Sequence, residues 1–340
     1  MKNPESILVV TLSNIGDVIL TTPVMAALRL KFPDAKMTVV VGPKAKPVLE
    51  KSGDISRIIV YDKKATLPGK VAFLRELWKD RYDMVVDLRN TAIPFLVFAR
   101  KRSPLFRAYT KINMRERHLE VLRMAGIRNG TKGEETFFSG NTRLPNFQFF
   151  SSADELSVFS KLGSIGIQGK SGWILVAPGA ASERKRWPPE LFREVVRNLV
   201  LRTRKDVFLV GSRDERPIAE VVARGMPASV KILSGETSLS ETAFLVSKAS
   251  LVISNDSAIM HLGFEIKTPT VGIFGPTDHE KYGHVHPSFR IARENPTQCH
   301  CNSHRLPYAE RSCFHGLTPE KVLCLCNELL NRDTPAARPS

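Results

Sequence analysis

No apolar run in the sequence approaches the roughly 18 residues that span a bilayer. The best candidate, Ala92 to Ala99 (AIPFLVFA), is less than half that length and contains Pro94. The opening residues, MKNPESILVV, carry one lysine and no apolar segment ending at a small-residue cleavage site. They predict no secretory leader and a cytoplasmic protein. Cysteine is confined to one stretch, with all five between Cys299 and Cys326. In a reducing compartment these are expected as thiols or metal ligands rather than a disulfide framework. The glycine pattern G-x-G-x-x-G is missing, which leaves a nicotinamide site poorly supported. No Asp-x-Asp pair sits at a suitable strand end, so cationic help at the site is expected from protein groups. Acidic residues are scarce relative to basic ones, 34 against 50, giving a formal charge of +16. That excess draws the chain toward nucleic acid, an anionic membrane surface or phosphorylated substrates, without choosing among them.

What remains is a globular composition, 42% hydrophobic and 25% charged over 340 residues. This length suits two domains of roughly 150 residues each. Continuous apolar runs such as Ile7–Leu12 read as buried parallel strands. Helical spacing follows from Val18 to Leu30, then strands at Met37–Val41, Arg57–Tyr61 and Asp83–Asp87. A second alternating series starts at Trp173 and runs through strands at Asp206–Val210, Lys231–Leu233, Leu251–Ser254 and Thr270–Phe274. Strands separated by helices mean right-handed βαβ units. Between the series lie Gly163, Gly166, Gly169 and Gly172, which read as a linker. The expected domains are residues 1–165 and 173–340. Both are α/β and doubly wound, face each other across a cleft and take ligands at the carboxyl ends of their strands.

Four motifs occupy such ends. Ser13-Asn14-Ile15-Gly16-Asp17 follows the first strand and opens a helix. Gly16 lets backbone approach a ligand, and the helix N-terminus favours an anion. On position alone, Asp17 is either a helix-capping aspartate or a group facing a ligand. The loop Pro178 to Pro188 carries Lys185, which is either a mobile charge for phosphate or part of a solvated basic loop. In Ser254 to His261 a buried strand turns into a helix whose first amides could hold a diphosphate. Alternatively Asp256 or Ser257 only caps that helix and His261 is a hydrogen-bonded core residue. Phe274-Gly275-Pro276-Thr277-Asp278 ends the next strand in a turn.

In order and separation these segments resemble the bacterial ADP-heptose:lipopolysaccharide heptosyltransferases of glycosyltransferase family 9. The likeness rests on ILVVTLSNIGDVILTTPVMAALR, KRWP, VISNDSAIMHL and TPTVGIFGPTD, and runs from about residue 5 to residue 330. It implies a GT-B fold of two Rossmann-like domains, an acceptor-binding first and a donor-binding second. It also implies inverting heptose transfer from ADP-heptose to the inner core of a lipopolysaccharide precursor, with no cofactor and no divalent metal. It marks Asp17 as the general base, Lys185 as a diphosphate contact, and Ser182, Asp256, Ser257 and His261 as donor-binding residues. The chain departs from the family at Ala258-Ile259, where Gly-Pro is usual, and at Gly263-Phe264-Glu265, where an alanine-rich helix is usual.

Charge suggests the acceptor. From Arg100 to Arg128 there are nine basic residues against two acids. That favours a phosphorylated, acidic acceptor held by Arg100, Lys101 and Arg102, and a peripheral contact with the inner membrane surface. Other readings are a family-9-like transferase with another nucleotide sugar or a protein acceptor, a non-catalytic sugar-nucleotide binder, and a basic nucleic-acid-binding protein. The last lacks a helix-turn-helix, zinc-finger or aromatic RNP-type signature, so no nucleic acid is expected. Cys299, Cys301, Cys313, Cys324 and Cys326 leave a bound metal open, their C-x-C spacing being tighter than the usual zinc knuckle.

Overall fold

The computed structural model describes residues 3–127, 144, 146–294 and 313–331. The chain divides into two compact units, Met1–Ser151 and Ser152–Ser340. Among the described residues of the first unit, the strands β1 (Ser6–Thr11), β2 (Lys36–Val41), β3 (Arg57–Val60), β4 (Tyr82–Asp87) and β5 (Ala99–Arg102) form one parallel sheet. Its order is β3-β2-β1-β4-β5. The helices are α1 (Ile15–Ile19), α2 (Thr22–Lys31), α3 (Leu67–Trp78) and α4 (Met114–Met124). Leu8, Val10, Val40, Val85 and Leu77 make one face of the sheet a dry core. The expected single helix from Val18 to Leu30 is two. Thr21 and Thr22 turn their hydroxyls back onto the carbonyls of Val18 and Ile19, and Pro23 starts the next helix without an amide to donate.

The second unit holds α5 (Ser152–Ser164), β6 (Ile174–Ala177), α6 (Pro189–Thr203), β7 (Val207–Leu209), α7 (Arg216–Ala223), β8 (Val230–Ile232) and α8 (Leu239–Lys248). It continues with β9 (Leu251–Asn255), α9 (Ala258–Ile266), β10 (Thr270–Phe274), α10 (His279–Tyr282), β11 (Phe289–Arg293) and α11 (Pro319–Leu330). Its parallel sheet runs β11-β10-β9-β6-β7-β8. Both sheets reverse their winding beside their first strand, between β1 and β4 and between β6 and β9. At such a switch point the crevice at the carboxyl ends is open to a ligand. On one face of the second sheet Val195, Leu199, Val222, Val322 and Cys326 pack over Ile174, Ile253 and Val271. Gly263 lets α9 lie close on β10, since a Cβ there would come within 2.4 Å of Thr270 Oγ1.

The expected boundary at 165–173 shifts. α5 belongs to the second unit, where Val158 and Leu162 are buried and Phe159 meets Phe244 edge-on. Lys161 and Ser157 bond the buried carboxylate of Glu241, and Asp154 accepts from Ser240. The glycine segment is therefore an internal turn of this unit. Gly166 and Gly172 adopt positive φ, and the Gly172 amide donates to Lys248 O. Among the described residues no helix is long and apolar enough to cross a membrane.

Candidate functional site

The register places Ala177 of β6 beside Ser254 of β9, so the loops leaving these strands emerge together. After β6 the chain turns at Pro178-Gly179, passes exposed Ser182 and makes one 3-10 turn at Glu183–Lys185. It then plunges at Trp187 into the core. After β9, Asp256 and Ser257 precede α9. Lys185 Nζ lies 2.7 Å from Asp256 Oδ2, and His261 Nε2 is 3.7 Å from Oδ1 of the same carboxylate. Asp256 is buried, with 4% of its side chain exposed, whereas Lys185 keeps 36%. Lys185 and His261, both marked by the sequence, thus converge on the carboxylate of Asp256, and the Lys185 ammonium still reaches solvent. Ser257 sits at the N-cap position, but its hydroxyl pairs with Ser254 Oγ at 2.9 Å and caps no amide of α9. Ser182 contributes its carbonyl to the Lys185 amide. Asp278, from the fourth motif, caps α10 by accepting from the amides of Glu280 and Lys281.

The sequence reading missed Asn255. This fully buried residue donates from Nδ2 to Pro178 O at 2.7 Å and accepts the Trp187 amide on Oδ1 at 3.1 Å. One side chain so clasps both ends of the Lys185 loop to the strand that carries Asp256. Trp187 Nε1 donates to Leu317 O, and the indole meets Phe192 edge-on at 5.0 Å. A Cβ at Gly179 would come within 2.3 Å of the Glu215 carboxylate, which would have to move aside.

In the first unit Asp17 lies in the first turn of α1, half-buried, and accepts from Ser13 Oγ at 2.5 Å. Its carboxylate caps no amide of α1, because Asn14 holds the N-cap position. His118, on α4, is buried close to Asp17, Arg89 and Arg107, with Nδ1 3.2 Å from Leu20 O at the end of α1. Burial drives its pKa down to about 4, so the ring is neutral at pH 7 and Nδ1 donates. Its Nε2 is buried without a hydrogen-bond partner. Arg107 reaches back to Asp87 O and to Tyr109 Oη.

The basic triplet expected to hold the acceptor is not gathered at Asp17. Arg102 is committed to the fold, donating to Pro94 O at 2.7 Å and Val97 O at 3.0 Å. Arg100 sits near the amino end of the sheet, 3.4 Å from Asp83, and strand alternation turns Lys101 to the other side. Arg89, which the sequence did not single out, and Arg107, part of the basic run from Arg100 to Arg128, lie with Asp17 around His118. They sit on and beyond the loop leaving β4, the neighbour of β1, a placement that only strand order reveals.

Cysteine gives no paired metal ligands among the described residues. Cys324 and Cys326 fall on opposite sides of α11, one exposed and one buried, and burial pushes the Cys326 thiol well above its usual range. Cys313 is buried near the start of the tail, whereas Cys299 and Cys301, like Arg128, lie outside the described residues.

Residues 147–310 match the model of glycosyltransferase family 9 (heptosyltransferase). Lipopolysaccharide heptosyltransferase 3 of Escherichia coli K12 is 26% identical over 293 residues, 78% of this chain and 80% of that protein. The structure of the E. coli ADP-heptose lipopolysaccharide heptosyltransferase II superposes with a TM-score of 0.75 at 19% identity, over 97% of this chain and 100% of the other. A family 9 glycosyltransferase from Veillonella parvula gives 0.78 at 21% identity, over 98% and 99%. The two solved structures match over nearly the whole chain and agree with its two parallel-sheet units, so the fold is GT-B, shared with heptosyltransferases that the chain resembles.

Proposed function

We propose that the protein transfers heptose from ADP-heptose to the inner core of a lipopolysaccharide precursor, with inversion and without a divalent metal. It would work at the cytoplasmic face of the inner membrane. The observation that carries the reading is the convergence of Lys185, Asp256 and His261 at the switch point of the second unit. The relatives named for ADP-heptose or lipopolysaccharide support it.

In this mechanism the second unit takes the donor. The diphosphate draws the Lys185 ammonium, and the first amides of α9, left uncapped by Ser257, face its negative charge. Asp256 and His261 hold Lys185 in place between turnovers. The first unit takes the acceptor, whose hydroxyl must come within about 3 Å of Asp17. The hydroxyl oxygen attacks the anomeric carbon as its proton passes to the Asp17 carboxylate. The bond from that carbon to the diphosphate oxygen breaks, and its electron pair leaves on ADP, stabilised by Lys185. A single displacement inverts the anomeric centre. Neutral His118, bonded to the end of α1, fixes the short helix that bears Asp17. Arg89 meets acidic groups of the acceptor.

Calorimetry with ADP-heptose, GDP-mannose, UDP-sugars and NAD tests the donor. ADP-heptose should bind and the others should not. A different sugar nucleotide binding alone would favour the alternative family-9-like activity, and tight NAD binding alone would overturn the reading.

A further inference from the structure

In the apolar stretch Ala92 to Ala99, too short to span a membrane, Ile93, Pro94 and Val97 are buried while Phe95, Leu96 and Phe98 are displayed. Arg102 donates to Pro94 O and Val97 O from one side, and Trp78 Nε1 donates to Leu96 O at 2.6 Å from the other. The turn is thereby clamped with Phe95 64% exposed, Phe98 77% exposed and Leu96 also outward. Trp78 continues this surface onto α3, where Leu67, Val71 and Trp78 fall within about 40° of one another at 3.6 residues per turn. All three are exposed, Trp78 by 57%. The helix thus has two apolar sides, one burying Phe73 and Leu77 in the core and one facing water. A contiguous exposed patch of this kind marks a site of association.

The surrounding charge selects the partner. Lys63 to Arg81 carries six basic residues against two acids. Both acids are bridged, Glu76 by Arg57 and Lys79 and Asp80 by Arg57. Asp83 is paired with Arg100, and Arg81 lies over the Phe98 ring at 5.9 Å. Aromatic and aliphatic side chains ringed by Lys and Arg, on a rigid helix and a clamped turn, match the interfacial region of an anionic bilayer.

We infer that the outer stripe of α3 and the turn 95–98 form a platform that inserts into the interface of a membrane containing anionic lipid. This deepens the membrane contact proposed above and holds whichever sugar is transferred. The insertion uses Leu67, Val71, Trp78, Phe95, Leu96 and Phe98, and the flanking Lys and Arg side chains take the headgroup phosphates.

The full-length protein carries its own reporter. Of its three tryptophans, Trp173 and Trp187 are buried, so lipid-borne quenchers read Trp78. With phosphatidylglycerol-containing vesicles brominated in the acyl chains, tryptophan emission should be quenched. Neutral phosphatidylcholine vesicles should give little quenching at physiological salt. Phe95→Ser/Phe98→Ser should lower vesicle partitioning about tenfold or more, with an unchanged melting temperature. Its transfer rate onto a lipid-free acceptor fragment should match that of the parent protein. Loss of transfer in both proteins would sink the enzymatic reading and leave the platform standing. Absent quenching, with partitioning unaffected by the double substitution, would overturn the insertion. So would a concentration-dependent dimer abolished by the same substitutions, which would make a second copy the occupant.

Discussion

Asn255→Ala removes one side chain and unties two backbone groups. The Trp187 amide and the Pro178 carbonyl both bond to Asn255 where nothing of that residue reaches solvent. Two neutral hydrogen bonds contribute about 1 kcal/mol each, and leaving their partners buried and unpaired adds about as much again. The expected loss is about 2–4 kcal/mol. In a unit of this size each kcal/mol moves the midpoint by about 2–4 °C, so the thermal transition of the second unit should fall by about 5–15 °C. Asn255→Asp keeps the acceptor for Trp187 but sets a carboxylate oxygen against Pro178 O, and should cost at least as much. Because Asn255 also fixes the loop presenting Lys185, ADP affinity measured well below the new midpoint should fall with stability. Differential scanning calorimetry and ADP titration check both effects. An Asn255→Ala protein with the parent's melting temperature would refute the reasoning about the clasp. Lost stability with unchanged ADP affinity would refute the link from the clasp to Lys185.

Asp17→Asn keeps the shape and the Ser13 contact but cannot take the proton, so transfer should drop by about 10²–10⁴ while the melting temperature holds. Near-normal turnover in a coupled ADP-release assay would remove Asp17 from catalysis. Lys185→Ala should weaken ADP binding by roughly 1.5–3 kcal/mol, the range for a charge-assisted hydrogen bond, and calorimetry reads it directly. Acid should destabilise the first unit before its carboxylates titrate. His118 has a folded pKa of about 4, below its unfolded value, so the unfolded chain binds the extra proton as pH falls. The stability it contributes is complete above about pH 6.5 and declines by about 1.4 kcal/mol per pH unit toward pH 4. Urea unfolding of His118→Gln should show a slope shallower by about one proton between pH 6.5 and 5, and an identical slope would contradict the assignment.

The strands were legible in the sequence because runs such as Ile7–Leu12 and Leu251–Ser254 are apolar without interruption, which only strands buried on both faces require. The placement of the strand-end motifs was legible for a related reason. A strand running straight into a helix leaves Asp17 and Asp256 at carboxyl ends wherever the sheet order falls. Less visible was anything depending on which core an element joins. The amphipathic pattern of α5 shows a buried side but not the unit that buries it, and glycines that look like a flexible joint turn out to serve positive-φ turns. Asn255 escaped notice because a polar residue inside a motif looks like part of the site, whereas its work is to hold two backbone groups at more than 65 positions' remove. Arg100, Lys101 and Arg102 look like one cluster in sequence, but pleating and the demands of the turn at Pro94 divide them.

The attachment of α5 to the second unit governs how this protein can be dissected. A fragment begun at Gly166 would carry the whole second sheet but would strip Phe159 from Phe244 and Ser240 from Asp154. It would also lose Lys161 and Ser157. Burial pushes Glu241 toward protonation, and bonds from these two side chains and the Ser238 amide overcome that push and hold its pKa low. Without α5, that carboxylate keeps only its capping contact with Ser238, beside an uncovered apolar groove along α8. A separately expressed second unit should therefore start at or before Ser152, and one that starts later invites aggregation through that groove.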